Sequence, residues 1–495
     1  MASWVDHAIW WHVYPLGFTG AESTAQPHDA PVRHRLRQLE PWLDYVLELG
    51  CSGLMLGPVF ASETHGYDTV DHFRIDPRLG DDEDFDRFIA AARDRGLRIV
   101  LDGVFNHVGR GFPVFARATG PNPDPDAARW FRRLPANDAA GGAADGAEEG
   151  VTGSMEPDYA TFEGHHRLVA LNHEEPAVLD HVAKVMIHWL DRGVSGWRLD
   201  AAYAMPARFW HDVLALVRPR HPDAWFVGEM IHGEYAAYVA ESGLDSVTEY
   251  ELWKAIWSSL NDGNFFELAW TLKRHDDLLG DFTPLTFVGN HDVTRLASRL
   301  ADERHLGHAL AVLFTVGGVP SVYYGDEQAF RGIKEDRVGG DDEIRPAFPA
   351  RPDDLAPHGL PTYRLHQRLI ALRRRHPWLL RARTTSEHLT NLTVALTSTA
   401  GNDGAGNGEA GDDWAGNGEA GDDWAGNGEA GNNKAANGGG ESGGPRIVTL
   451  LNIGDEPYRF PVETEGLTVE ETSATSHPGD PALVPAHGWT VLSGR

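Results

Sequence analysis

The chain has 495 residues, 73 of them acidic against 43 basic, giving a formal net charge of −30. That excess argues against nucleic acid or an anionic membrane as partner, because both would be repelled. The length suits one large barrel with accessories or two to three domains, and 41% hydrophobic residues supply a sizeable core. Only five of the basic residues are Lys. An acidic, Lys-poor chain fits either a halophilic or a GC-rich source. The single cysteine, Cys51, excludes an intramolecular disulfide and reads as a buried, inert thiol. The first residues, Met1 to His7, lack a basic region followed by an apolar run, and no stretch approaches ~18 apolar residues. The expected compartment is the cytoplasm.

In chain order, Ala8 to Phe18 predicts a first strand, and Val32 to Leu49 a helix stopped by Gly50. Gly53 to Pro58 predicts the second strand, Asp84 to Arg95 a helix, and Leu97 to Phe105 the third strand. The alternation then breaks. Residues 108–170 read as an inserted domain, with a mobile loop over 136–153. It resumes with a helix over Ala177 to Asp191 and a short buried fourth strand, Val194 to Ala201. Trp225 to Glu229, Ser246 to Leu252, Leu285 to Gly289 and Val319 to Tyr324 predict strands five to eight, with helices between them. Leu365 to His376 is the last helix. Eight strands alternating with helices predict an α/β fold, a (β/α)8 TIM barrel over 1–107 and 171–381. After residue 382 the runs become short and alternating, which predicts a C-terminal antiparallel β domain over 382–495. Within it lies a Gly-rich segment, 401–445, in which AGNGEAGDDW occurs twice. Its period is too short for a helical repeat, and it reads as a disordered loop.

Chemistry in such barrels sits at the C-terminal ends of the strands. Those ends carry Asp102, Asn106 and His107 after strand three, and Arg198 and Asp200 at strand four. They carry Glu229 after strand five, and His291 and Asp292 after strand seven. Each alone has a structural reading, as a buried acid, a core histidine or a cap. Their convergence on one mouth points to catalysis. Three carboxylates, an arginine and two histidines fit glycoside hydrolysis, in which one carboxyl must be ionised and another protonated. Strand alternation puts Arg198 and Asp200 on the same side. Arg198 is therefore expected to keep Asp200 charged as nucleophile. Glu229, after an apolar run, is expected to carry the raised pKa of the acid. Asp292 is expected to bind sugar hydroxyls, and the histidines to donate to them.

The motifs Asp102-Gly103-Val104-Phe105-Asn106-His107, Gly196-Trp197-Arg198-Leu199-Asp200, Val227-Gly228-Glu229 and Phe287-Val288-Gly289-Asn290-His291-Asp292 occur in that order. With His65-Gly66-Tyr67-Asp68 and Leu171-Asn172-His173-Glu174-Glu175-Pro176, they make the chain resemble the α-amylase family, glycoside hydrolase family 13. The resemblance covers residues 8 to about 380. It implies double displacement with retention, Asp200 as nucleophile, Glu229 as acid/base and Asp292 as transition-state stabiliser. It places Tyr67, Asp102, His107, Arg198 and His291 around the sugar at the cleaved bond, with Tyr67 stacking beneath. The family's insertion is its domain B and the terminal module its domain C. The stretches around Tyr67 and from Phe162 to Asn172 look most like cyclomaltodextrinases and neopullulanases, although the barrel is expected to begin at Ala8, without their N-terminal domain.

One departure stands out. Many α-amylases have Lys-His three and four residues after the nucleophile, where this chain has Tyr203 and Ala204. Asn106 is then the one remaining match to the family's calcium site, so no cofactor is expected to be required. Tyr203 is expected to offer the leaving-group sugar an aromatic face. The reading is an enzyme hydrolysing α-1,4 bonds in maltooligosaccharides. A transglycosylase with the same residues and a catalytically inactive glucan-binding protein are the alternatives.

Overall fold

The computed structural model describes residues 3–27, 30–134, 159–337, 339–401, 444–473 and 479–494. Both the loop expected over 136–153 and nearly all of the Gly-rich repeat segment lie outside the described residues.

Eight parallel strands form one sheet. They are Trp10–Val13, Gly53–Leu56, Arg98–Gly103, Gly196–Leu199, Trp225–Gly228, Ser246–Val247, Leu285–Phe287 and Val319–Tyr323. Each neighbours the next in sequence around the sheet except six and seven, and the first pairs with the eighth. A parallel bridge from Thr248 to Leu285 joins the remaining two edges and closes the barrel. The strands are buried almost throughout, as expected of a parallel sheet covered by helices. Glycine is required where strands approach closely: a Cβ at Gly196 would stand 2.1 Å from the Trp225 carbonyl oxygen. At the barrel's N-terminal end Trp10 stacks on Trp225, ring centroids 5.6 Å apart.

Several boundaries differ from the sequence expectation. The first strand stops at Val13, because Pro15 starts a short helix, Pro15–Phe18. The sixth strand is only two residues. The rest of its expected span enters a helix, Tyr250–Asp262, which buries Leu252, Ala255, Ile256, Ser259 and Leu260 on one face and is ended by Gly263 in the left-handed region. An unexpected hairpin, Phe60–Ser62 with Thr69–Ile75, follows the second strand. After the third strand come two helices, Pro113–Thr119 and Pro125–Ala128, and a small pair of strands, His107–Gly109 with Leu168–Ala170.

The C-terminal module is a five-stranded antiparallel sheet. Its strands run in the order Arg383–Leu389, Thr393–Thr399, Arg446–Asn452, Gly488–Gly494, Thr468–Thr472. Its first two strands form a hairpin, since the chain turns between Leu389 and Thr393. Among the described residues no helix is long and apolar enough to cross a membrane. Cys51 is buried, and burial pushes its thiol up, consistent with an inert group.

Candidate active site

The fourth strand ends at Leu199, and Asp200 follows it into the mouth. The next residue, Ala201, has φ 47°, a left-handed conformation that costs a non-glycine residue roughly 1–3 kcal/mol. That turn aims the Ala201 N–H at Glu229 Oε2, 2.9 Å away. Glu229 itself leaves the end of the fifth strand. Its Oε1 lies 2.7 Å from Arg198 Nη2 and accepts from the Tyr250 hydroxyl at 3.3 Å. Asp200 and Glu229 are thus joined through backbone as well as through Arg198.

Arg198 does not serve Asp200 in the expected way. Its Nη1 donates to both oxygens of Asp102 at 2.7 Å, and reaches Asp200 Oδ1 only at 3.4 Å. Its short contacts therefore go to Asp102 and Glu229. Burial, and then the nearby Glu229 carboxylate, push Asp200 well above the usual carboxylate range, and Arg198 does not offset them. The expectation that Arg198 keeps Asp200 ionised fails because the guanidinium is turned toward the neighbouring strands.

Asp292 has the opposite environment. Its burial is outweighed by His291, Arg345 and Arg198, which hold its carboxyl well below the ordinary value. His291 Nε2 lies 2.9 Å from Oδ2, and Arg345 Nη2 donates to Oδ1 at 2.9 Å. Arg345 also donates from Nε to the His291 carbonyl and lies over the Tyr14 ring, 4.7 Å from its centroid. Arg345 escaped the sequence reading. It follows the run Asp341-Asp342-Glu343-Ile344 in a long connection, where nothing distinguishes it from a surface arginine.

The remaining expected residues also converge here. Tyr67 donates to Asp102 Oδ2 at 3.1 Å, bonds His291 Nε2, and lies parallel to the His291 ring with centroids 5.4 Å apart. His107 is placed differently from its expectation. Its Nε2 donates to the Tyr67 carbonyl at 3.1 Å, and its Nδ1 accepts from the Asn106 amide at 3.2 Å. Burial pushes it down to about 3, so the ring is neutral. With both nitrogens engaged and the ring stacked on Phe162 at 4.6 Å, His107 positions Tyr67 and has no free nitrogen for a hydroxyl.

Tyr203 stands on the Glu229 side of the mouth. Its N–H donates to the Glu229 carbonyl at 3.2 Å and its hydroxyl to Glu163 Oε1 at 2.8 Å. Glu163, from the inserted segment, was not foreseen. For calcium, Asn106 would need further oxygen ligands around it. The groups of three or more His, Cys, Asp or Glu side chains found among the described residues lie elsewhere, and the Asn106 amide nitrogen donates to His107, which leaves the side-chain oxygen for an ion.

Residues 35–359 match the family model described as "Alpha amylase, catalytic domain". The chain belongs to the alpha-amylase family. Among its relatives in the family, a cyclomaltodextrinase from a Bacillus species is 28% identical over 401 residues, 76% of this chain and 67% of that protein. A 4-alpha-glucanotransferase from Thermotoga neapolitana is 31% identical over 316 residues, 59% of this chain and 66% of that protein. The chain thus spans about two thirds of the length of these curated relatives. In fold it is similar to the cyclic alpha-maltosyl-(1→6)-maltose hydrolase of Arthrobacter globiformis, with TM-score 0.73, 24% identity and 99% of both chains covered. An alpha-amylase barrel with a C-terminal β module is therefore the architecture of this chain.

Proposed function

We propose that the protein is a retaining α-glycosidase that hydrolyses α-1,4-glucosidic bonds in maltooligosaccharides or related α-glucans. The observation that carries this is the triad at the ends of strands four, five and seven. Asp200 and Glu229 both face Arg198, while Asp292 is held ionised by His291 and Arg345. Retention by double displacement needs one carboxylate, one carboxylic acid and a fixed negative charge near the oxocarbenium-like transition state.

This mechanism requires Glu229 as the acid and Asp200 as the carboxylate in the substrate complex. Asp200 attacks the anomeric carbon, the glycosidic C–O bond breaks, and Glu229 gives its proton to the leaving oxygen. The Glu229 carboxylate then takes a proton from water, which attacks the anomeric carbon and releases Asp200. Arg198 keeps the negative charge on the pair tolerable in either step. Asp292 accepts hydrogen bonds from sugar hydroxyls that strengthen as charge develops. Tyr67, Asp102, Arg198 and His291 form the floor beneath the reacting sugar, and Tyr203 meets the leaving-group sugar.

The reading needs no cofactor. Dialysis against EDTA is expected to leave activity unchanged at temperatures well below melting. The large negative charge supports a neutral sugar partner over nucleic acid or membrane, and an intracellular maltogenic amylase among the relatives supports the cytoplasm, which cell fractionation checks. Product analysis on maltoheptaose tests the main proposal: release of α-anomeric maltooligosaccharides supports it, and β-anomeric products overturn it. The glucanotransferase relative favours a second reading, transglycosylation through the same glycosyl-enzyme. Sugars longer than the substrate, formed from maltotriose, would establish it. An inactive binding protein is excluded by turnover that Asp200→Asn abolishes.

A further inference from the structure

Away from the mouth, Asp302, His305 and His487 bring one carboxylate oxygen and two ring nitrogens within 4.8 Å of one another. His305 Nε2 and His487 Nδ1 are 3.0 Å apart, and Asp302 Oδ2 is 4.0 Å from His487 Nδ1. Two imidazoles on one tetrahedral zinc, at ~2.0–2.1 Å per bond, have nitrogens roughly 3.3 Å apart. The pair is already close to that separation. Asp455 Oδ1 lies 2.9 Å from His487 Nε2. A carboxylate there fixes the proton on Nε2 and leaves the Nδ1 lone pair facing His305, the arrangement that orients metal-ligating histidines. The rings meet edge to edge through these two nitrogens, with centroids 5.3 Å apart. Arg304 Nη2 pairs with Asp302 Oδ2 at 2.5 Å. A carboxylate has lone pairs for both the arginine and an ion.

The position gives the group a purpose. Asp302 and His305 immediately precede the barrel helix Leu306–Thr315. His487 immediately precedes Gly488–Gly494, the C-terminal strand next to that helix, where Trp489 packs so closely on Gly307 that a Cβ would meet its Nε1 at 2.3 Å. An ion held by these three residues would join chain segments 182 residues apart. A set of two nitrogens and one oxygen selects a borderline divalent ion over calcium or magnesium.

We propose that Asp302, His305 and His487 form a structural site for a zinc-class divalent cation, completed by water, that ties the C-terminal sheet to the barrel. The full chain is stripped with chelator and titrated with ZnCl2, and in parallel with CaCl2 and MgCl2. The expected result is one zinc retained per chain and a melting temperature that rises with zinc but not with calcium or magnesium. Cobalt should give visible d–d absorption. Both responses should vanish in His305→Gln and in His487→Asn, the latter chosen because asparagine tolerates the left-handed backbone at residue 487, φ 49°. Activity on maltoheptaose well below melting should be the same in these variants. His34→Gln, in the only other candidate group found among the described residues, should keep the response. A chain that retains no zinc and shows no melting shift overturns the proposal, and so does a zinc response that survives both histidine substitutions. If either variant folds poorly, loss of the cobalt bands in the other alone still supports the site, and their persistence overturns it.

Discussion

Arg198 Nη2 stands 2.7 Å from Glu229 Oε1, closer than the guanidinium comes to the nucleophile candidate Asp200. The arginine therefore couples the third and fifth strands, through Asp102 and Glu229, more strongly than it supports its own strand neighbour. A lysine has one ammonium and no planar fork, so it cannot hold both carboxylates. Arg198→Lys is expected to lower kcat about 10²–10³-fold. The acidic limb of its pH–rate profile should also move upward, since a shorter ammonium drawn to Asp102 leaves Asp200 with a more distant cation to favour its ionised form. A full pH profile of kcat/KM checks this, and an unmoved limb would reduce Arg198 to a packing role.

Glu229→Gln keeps the Ala201 contact but removes the proton. On maltoheptaose the loss should be about 10²–10⁴-fold. On an activated aryl α-maltoside the first step needs little proton donation, so glycosyl-enzyme should form rapidly as a burst. Added azide, which needs no general base, should restore turnover. Equal losses on both substrates, with no azide rescue, would remove Glu229 from the acid/base role.

Arg345→Met tests the residue that holds Asp292. Against its burial, Asp292 is kept well below its ordinary value of 3.8 by His291, Arg345 and Arg198. A lowered carboxyl contributes stability above its unfolded value and loses it only as pH falls through the folded one. Without Arg345 the folded value rises, and the loss begins at higher pH. Activity near pH 5, relative to pH 7, should therefore fall in the variant and hold in the parent, with kcat down roughly tenfold or more. Paired pH profiles measure both effects.

Glu327 is a buried acid outside the reaction, pushed up to about 7 by burial despite bonds from Tyr45, Trp11 and its neighbouring backbone. A carboxyl raised in this way stabilises the fold fully below its unfolded value near 4.5, and that contribution is lost as pH rises through about 7. Glu327→Gln should remove this dependence. Parent and variant should then differ in unfolding free energy by an amount that changes by ~3 kcal/mol between pH 4 and pH 8. Urea melts at the two pH values provide the comparison.

The strand-end residues were legible in the sequence because each belongs to a short local pattern. Strand alternation and the parallel barrel together place Asp102, Arg198 and Glu229 at one rim. The helix Tyr250–Asp262 was less legible, because its first residues continue an apolar strand run and only the wider spacing reveals the helical face. Arg345 and Glu163 were not legible at all. Each lies in an irregular stretch, and only the folded chain brings it beside Asp292 or Tyr203.

By itself the sequence determined the eight-fold alternation and the rim on which the acids meet. Those depend on periodicity along the chain, which residues fix locally. Only the tertiary structure decided which carboxylate Arg198 holds, that His107 spends both nitrogens on the protein, and that Asp292 is the acid kept ionised. Such pairings depend on distances between strands and loops far apart in sequence. In a buried mouth, a few tenths of an ångström decide which charge each cation stabilises.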